Sequence, residues 1–194
     1  MTMAMATSPS HSTDDAAARR LLSSPPDSSA THTAESHAMQ VIEQLKGMKE
    51  DRFLHIYESL AKDGFGPLDG EVAKALKFRP QMIRKLPMPK RAKTAHTILI
   101  RGGNAELCYE LFGSYLMQCA KPIVIDFLDG TGVEHEEGMV QNIDEAKPAA
   151  DKVSSTVADL DSKYDSDDVT LYLSMAAEQW PSVPEVESVW RMRG

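Results

Sequence analysis

Few aromatic residues, only two cysteines and no long apolar run set the first limits on this chain of 194 residues. No stretch approaches the roughly 18 consecutive apolar residues of a membrane-spanning helix. The N-terminus carries no apolar core segment. Arg19 and Arg20 are followed by Leu21, Leu22, two serines and two prolines, which make neither a secretory nor a twin-arginine signal. Asp14 and Asp15 argue against an organelle transit peptide. Cys108 and Cys119 fall on one expected helix, where their spacing gives a rise of about 16 Å. A disulfide needs Cα atoms within about 7 Å, so both are expected as small buried hydrophobes in a reducing, cytoplasmic compartment. With aromatics at 6%, eleven methionines share the filling of the core.

The motifs of common chemistry are missing as well. Gly130-Thr131-Gly132 lacks the further glycine and the preceding strand of a phosphate loop, and no Gly-x-Ser-x-Gly elbow occurs. His135-Glu136-Glu137 resembles a fragment of a helical zinc site, but Met139 stands where the second histidine belongs. The carboxylates Asp159, Asp161, Asp165 and Asp167 suggest a calcium loop until its register is applied. Lys163 or Val169 then falls on a ligand position. No cofactor, metal site or catalytic residue is therefore expected. His55 and His96 have no spacing that links them to His135.

What is present is helical periodicity behind a polar tail. Residues 1–36 are rich in Ser, Thr, Ala, Pro, His and Asp and cannot bury enough apolar surface to offset their ordering entropy, so a disordered tail is expected. Met1, Met3, Met5 and Met39 could each serve as a start, and the periodic pattern begins at Met39. From there apolar residues recur at the helical spacing: Met39, Ile42 and Leu45, then Phe53, Ile56, Tyr57 and Leu60 up to Gly64. Asp69 is a plausible N-cap for a short helix carrying Val72, Ala73 and Leu76. Pro80 opens another with Ile83 and Leu86 inward, and a helix follows Pro87 and Pro89 to Ile100.

After the break at Gly102-Gly103, a wide stripe from Leu107 to Cys119 reads as a central helix. Pro122 starts a helix that folds back on it. The run Ile123-Val124-Ile125 could be a strand, but Pro122 and the Asp129-Gly130 exit fit helix ends better. A polar loop covers 130–147. Two last helices carry Val153, Val157 and Leu160, and then Val169, Tyr172, Leu173, Ala176 and Trp180. The second is expected to be capped by Ser166, with Asp167 and Asp168 in its first turn. A terminal turn buries Val186, Val189 or Trp190. The reading is an all-α orthogonal array of about seven or eight short helices over 37–194, a single domain.

Charge divides that domain into a basic half, 37–101, and an acidic half, 104–194. Residues 71–101 hold nine Lys or Arg against Glu71 alone, while residues 126–188 hold sixteen acids against Lys147, Lys152 and Lys163. Such asymmetry speaks about partners rather than fold. Either the two halves face each other or are simply solvated faces screened beyond about 8 Å, or the basic stretch 74–101 meets an anionic partner such as nucleic acid.

Within the basic half, Val72-Ala73-Lys74-Ala75-Leu76-Lys77-Phe78-Arg79-Pro80-Gln81-Met82-Ile83-Arg84-Lys85-Leu86 resembles the helix-turn-helix of bacterial repressors of the lactose-repressor type. Val72, Ala73, Leu76, Phe78, Ile83 and Leu86 fit its inner positions. Lys77 departs from it, since most such motifs carry Gly at the turn. The resemblance implies a DNA-binding regulator in which Arg79, Gln81, Arg84 and Lys85 face the major groove while Lys90, Arg91 and Lys93 contact phosphates. It covers fifteen residues. Without a catalytic motif, the expectation for the whole chain is a non-enzymatic helical interaction module that binds a protein partner or itself, with the DNA-binding regulator as the alternative.

Overall fold

The computed structural model describes residues 41–62, 67–102 and 104–193. The expected tail, residues 1–36, and the breaks expected at Gly64 and Gly103 lie outside them. The described chain is all-helical. Helix α1 occupies residues 41–47, followed by α2 (Glu50–Lys62), α3 (Pro67–Ala75), α4 (Pro80–Ile83) and α5 (Met88–Gly102). Then come α6 (Ala105–Cys119), α7 (Lys121–Thr131), α8 (Ala150–Lys163), α9 (Ser166–Gln179) and α10 (Pro184–Arg191). These ten segments exceed the seven or eight expected: the chain breaks after Gly47 to separate α1 from α2, and the terminal turn closes into a helix of its own.

Helix α6 is the central element. Leu107, Cys108, Leu111, Phe112, Tyr115 and Leu116 are buried along it, and it packs against α2, α5, α7 and α9. Asn104 caps its start by accepting a hydrogen bond from the Leu107 amide at 3.0 Å. Ala120 alone separates α6 from α7, where Ile123, Val124, Phe127 and Leu128 are buried, so the β-branched run is helical. Cys108 is buried and its thiol is pushed up to about 12 by desolvation. Cys119, expected to be buried, is exposed at the end of the helix.

The acidic helices form a second cluster. Helix α8 packs on α7 through Val153, Val157 and Leu160, and Gly130 of α7 faces the Thr156 side chain of α8. A Cβ at Gly130 would lie 2.5 Å from the Thr156 methyl. Helix α9 is buried on more than one side, and its N-cap is Asp165 rather than Ser166, with the carboxylate accepting from the Asp167 amide at 2.9 Å. Val186 is the fully buried residue of α10. Near the end of α9 the Glu178 carboxyl is buried, its Oε2 has no hydrogen-bond partner, and desolvation raises its pKa to about 8.

The two clusters meet at α6 and at the ion pair between Arg52 of α2 and Asp168 of α9. The Arg52 guanidinium also lies 5.6 Å from the centre of the Tyr115 ring. Helices α8–α10 pack on α7, on α6 through α9, and on one another, and build no packed interface with α3–α5 among the described residues.

Candidate docking surface

The basic segment begins where α3 ends. The Phe78 amide donates to the Ala73 carbonyl at 2.8 Å and the Lys77 amide to that of Lys74 at 3.1 Å, the pairing of a Schellman turn. That turn needs a left-handed residue, and Lys77 takes it with φ of 55°. The position that lacks the usual glycine is thus still folded as if glycine were there. Arg79 is extended, as a residue before proline should be, and Pro80 opens α4. Ile83 is fully buried and Leu86 packs against the core, which pins this turn to the body of the protein.

Helix α4 has four residues, and Arg84, Lys85 and Leu86 continue it only as a tightened turn, with the Lys85 and Leu86 amides donating three residues back. Recognition in the major groove needs a helix long enough to lay several side chains along base edges. One turn does not supply it, so the structure departs from the helix-turn-helix arrangement at its second helix. Phe78 departs as well: expected inside, it is 46% exposed, as is Met82.

Of the expected site residues, Arg79, Gln81, Arg84, Lys85, Lys90 and Lys93 are exposed. Lys93 shares its charge with Glu50 at 3.3 Å across the α2–α5 contact. No carboxylate among the described residues lies within ion-pairing distance of Lys77, Arg79, Arg84, Lys85 or Lys90. Lys90 stands near the N-terminus of α5, whose first turn holds no acid, so the helix dipole opposes the charge placed there.

Arg91 does not belong to this surface. It is 7% exposed and points into the body of the protein, where Nη2 donates to both oxygens of Asp69 at 2.7 and 3.0 Å. The Tyr57 hydroxyl donates to the same carboxylate at 2.7 Å, and the guanidinium lies 5.6 Å from the Tyr57 ring centre. Burial and the Asp69 carboxylate push the Tyr57 phenol well above its ordinary value. Asp69, expected as the N-cap of α3, is instead inside its first turn and ties α2, α3 and α5 together.

The three histidines of the described residues are placed apart, and of them His135 shares an open cleft with the carboxylates of Glu134, Glu136 and Glu145. His96 contacts the Leu45 carbonyl at 3.2 Å and stacks near Phe53, while His55 meets the Tyr115 ring edge. The Gly138 amide donates to His135 Nδ1 at 3.2 Å, which leaves Nε2 as the donor to Asp129, also at 3.2 Å. Asp161 is held by Arg193 at 2.5 and 2.7 Å, and Asp165 is spent on its cap. No cluster of three or more metal-ligating side chains occurs among the described residues, and none of their helices is long and apolar enough to cross a membrane.

Sequence reasoning missed the apolar part of the surface, Phe78 and Met82. It placed a polar loop over 130–147, which the structure shows between α7 and α8, but not the turn or the exposed apolar side chains within it. There Glu136 and Met139 close a two-residue hairpin turn through Glu137 and Gly138, both at positive φ. Met139 and Ile143 are exposed, at 64% and 44%. Comparison with protein-family models, with curated proteins and with solved structures returns no match to this chain.

Proposed function

We propose that this chain is a non-enzymatic helical binding module that docks an acidic protein surface through residues 77–90. The observation that carries the reading is one short segment holding five cations and no acid, with none of the five ion-paired among the described residues, around two half-exposed apolar side chains. Cations alone attract any polyanion, whereas apolar groups among them favour a surface that also offers apolar contact. His96, His135, Asp69, Asp161 and Asp165 each make hydrogen bonds within the fold, which supports binding rather than catalysis. Cytoplasmic placement is part of the same proposal and rests on the two cysteines spaced along α6.

The test is a titration, by fluorescence anisotropy, with an acidic peptide of alternating Glu and Leu and with a DNA duplex at the same salt. R79A/R84A/K85A should weaken peptide binding at least about tenfold, the equivalent of about 1.4 kcal/mol. Phe78→Ser with Met82→Ser should remove roughly 1 kcal/mol for each half-buried side chain from peptide binding and leave the duplex unaffected. Equal peptide affinity in the wild type and both variants would sink the reading.

A further inference from the structure

The acidic loop after α7 mirrors the basic segment in its composition and, Glu137 apart, in having no opposite charge within ion-pairing distance among the described residues. Residues 134–145 hold five acids and no Lys or Arg, against five cations and no acid in 77–90. Each segment exposes two large apolar side chains four residues apart, Met139 and Ile143 in one, Phe78 and Met82 in the other. These four are all but one of the large apolar side chains exposed among the described residues, Met192 being the other. In the acidic helices Asp126, Asp161, Asp168 and Glu187 are held by Lys163, Arg193, Arg52 and Arg191, while Asp151, Asp159, Asp167 and Glu185 have no cation within ion-pairing distance among the described residues.

In the loop, Glu137 alone has a cation, Lys121 at 2.5 Å; none lies within reach of Glu134, Glu136, Asp144 or Glu145 among the described residues. Glu134, Glu136 and Glu145 line one open cleft of about 700 Å³ with His135, Asn142 and Lys147. Three carboxylates around a shared concavity suit a protruding turn that carries arginine and lysine.

We infer that the acidic surface bound by residues 77–90 is the 134–145 loop of a second copy of this chain. The inference rests on the reading of 77–90 as a docking surface and names its occupant. Arg79, Arg84 and Lys85 of one copy meet Glu134, Glu136 and Glu145 of the next, while Phe78 and Met82 meet Met139 and Ile143. The two segments differ, so they pair either reciprocally about a two-fold axis or head-to-tail along a ring or filament.

Sedimentation of the full chain at increasing concentration, in about 0.05 and 0.5 M salt, tests this. The wild type should rise above the 21.4 kDa of one chain as concentration increases, and less so at high salt. R79E/R84E/K85E and E134K/E136K/E145K should each sediment as single chains. Mixed together they should associate again, since each supplies the charge the other has lost. That rescue also shows that both variants are folded. A wild type that stays monomeric at every concentration overturns the inference, as does association that neither reversal reduces or mixing that restores nothing. If the monomeric wild type still binds the Glu/Leu peptide through Arg79, Arg84 and Lys85, the docking surface stands and only its occupant is wrong. If it binds neither, both fall.

Discussion

Replacing Arg91 by methionine should cost this protein far more stability than removing any other cation of the basic stretch. The Arg91 and Asp69 side chains are 9% and 18% exposed, so the pair sits where water screens it little. Deleting one partner of a buried pair typically costs about 3–5 kcal/mol, because the remaining charge is left uncompensated. Asp69 would keep the Tyr57 hydroxyl and some contact with water, which puts the expected loss near the lower end, about 3 kcal/mol. For a chain of this size that corresponds to a drop in Tm of roughly 6–12 °C.

Urea denaturation followed by helical circular dichroism measures it, with an unchanged slope showing that the unfolded state is unaffected. The double variant R91M/D69L leaves the buried Tyr57 hydroxyl without its acceptor, at about 1–3 kcal/mol. The triple variant R91M/D69L/Y57F should therefore recover to within about 1 kcal/mol of the wild type, since apolar residues of similar volume often replace buried ion pairs without loss. Arg91 Nε is buried with no hydrogen-bond partner, a cost that the apolar pair would not carry. A single-variant loss below about 1 kcal/mol, with no coupling in the double-mutant cycle, would refute the assignment of Arg91 to the interior. It would return Arg91 to the docking surface.

Lys77→Gly should raise stability by about 0.5–1 kcal/mol, since the left-handed C′ position favours glycine; a loss in thermal denaturation would contradict the Schellman geometry. Gly130→Ala should lower it by about 1–3 kcal/mol through overpacking against Thr156, and an unchanged urea midpoint would show that α8 shifts without cost. Glu178 has a folded pKa of about 8, above its ordinary unfolded value near 4.3. Its contribution to stability is therefore fully present below the unfolded value and is lost as pH rises through about 8. Denaturation midpoints on the two sides of that range should differ in the wild type and differ less in Glu178→Gln; an equal pH dependence in both would disprove the role of this carboxyl.

Much of the helical frame was legible because apolar spacing and helix punctuation agree. Val169, Tyr172, Leu173, Ala176 and Trp180 announced α9 and are all buried. Pro122 and the glycines after Phe127 bounded α7 despite its β-branched start. The errors have local causes. Ser166 and Asp165 are both good capping residues, and adjacent caps cannot be ranked without backbone geometry. Asp69 reads as a cap when its partner Arg91 is twenty-two residues away. Phe78 fits an inner position by spacing, but the turn at Lys77 directs it to solvent. Arg91 did carry a signal: it lies four and eight residues before Ala95 and Leu99, on the buried stripe of α5. A cation on an apolar stripe needs an internal acid. The 134–145 loop offered no periodicity, so its clefted carboxylates could not be placed from sequence.

The turn between α3 and α5 is fixed before any partner arrives. Pro80, Pro87 and Pro89 restrict its backbone, Ile83 anchors it, and Lys77 is held at the one conformation the Schellman turn accepts. Association through this turn, as proposed, would immobilise side chains but leave the backbone as it was, so little conformational entropy would be lost on contact. Calorimetry should accordingly show the small heat-capacity change of rigid surfaces meeting, without the large signature of a segment that folds as it binds.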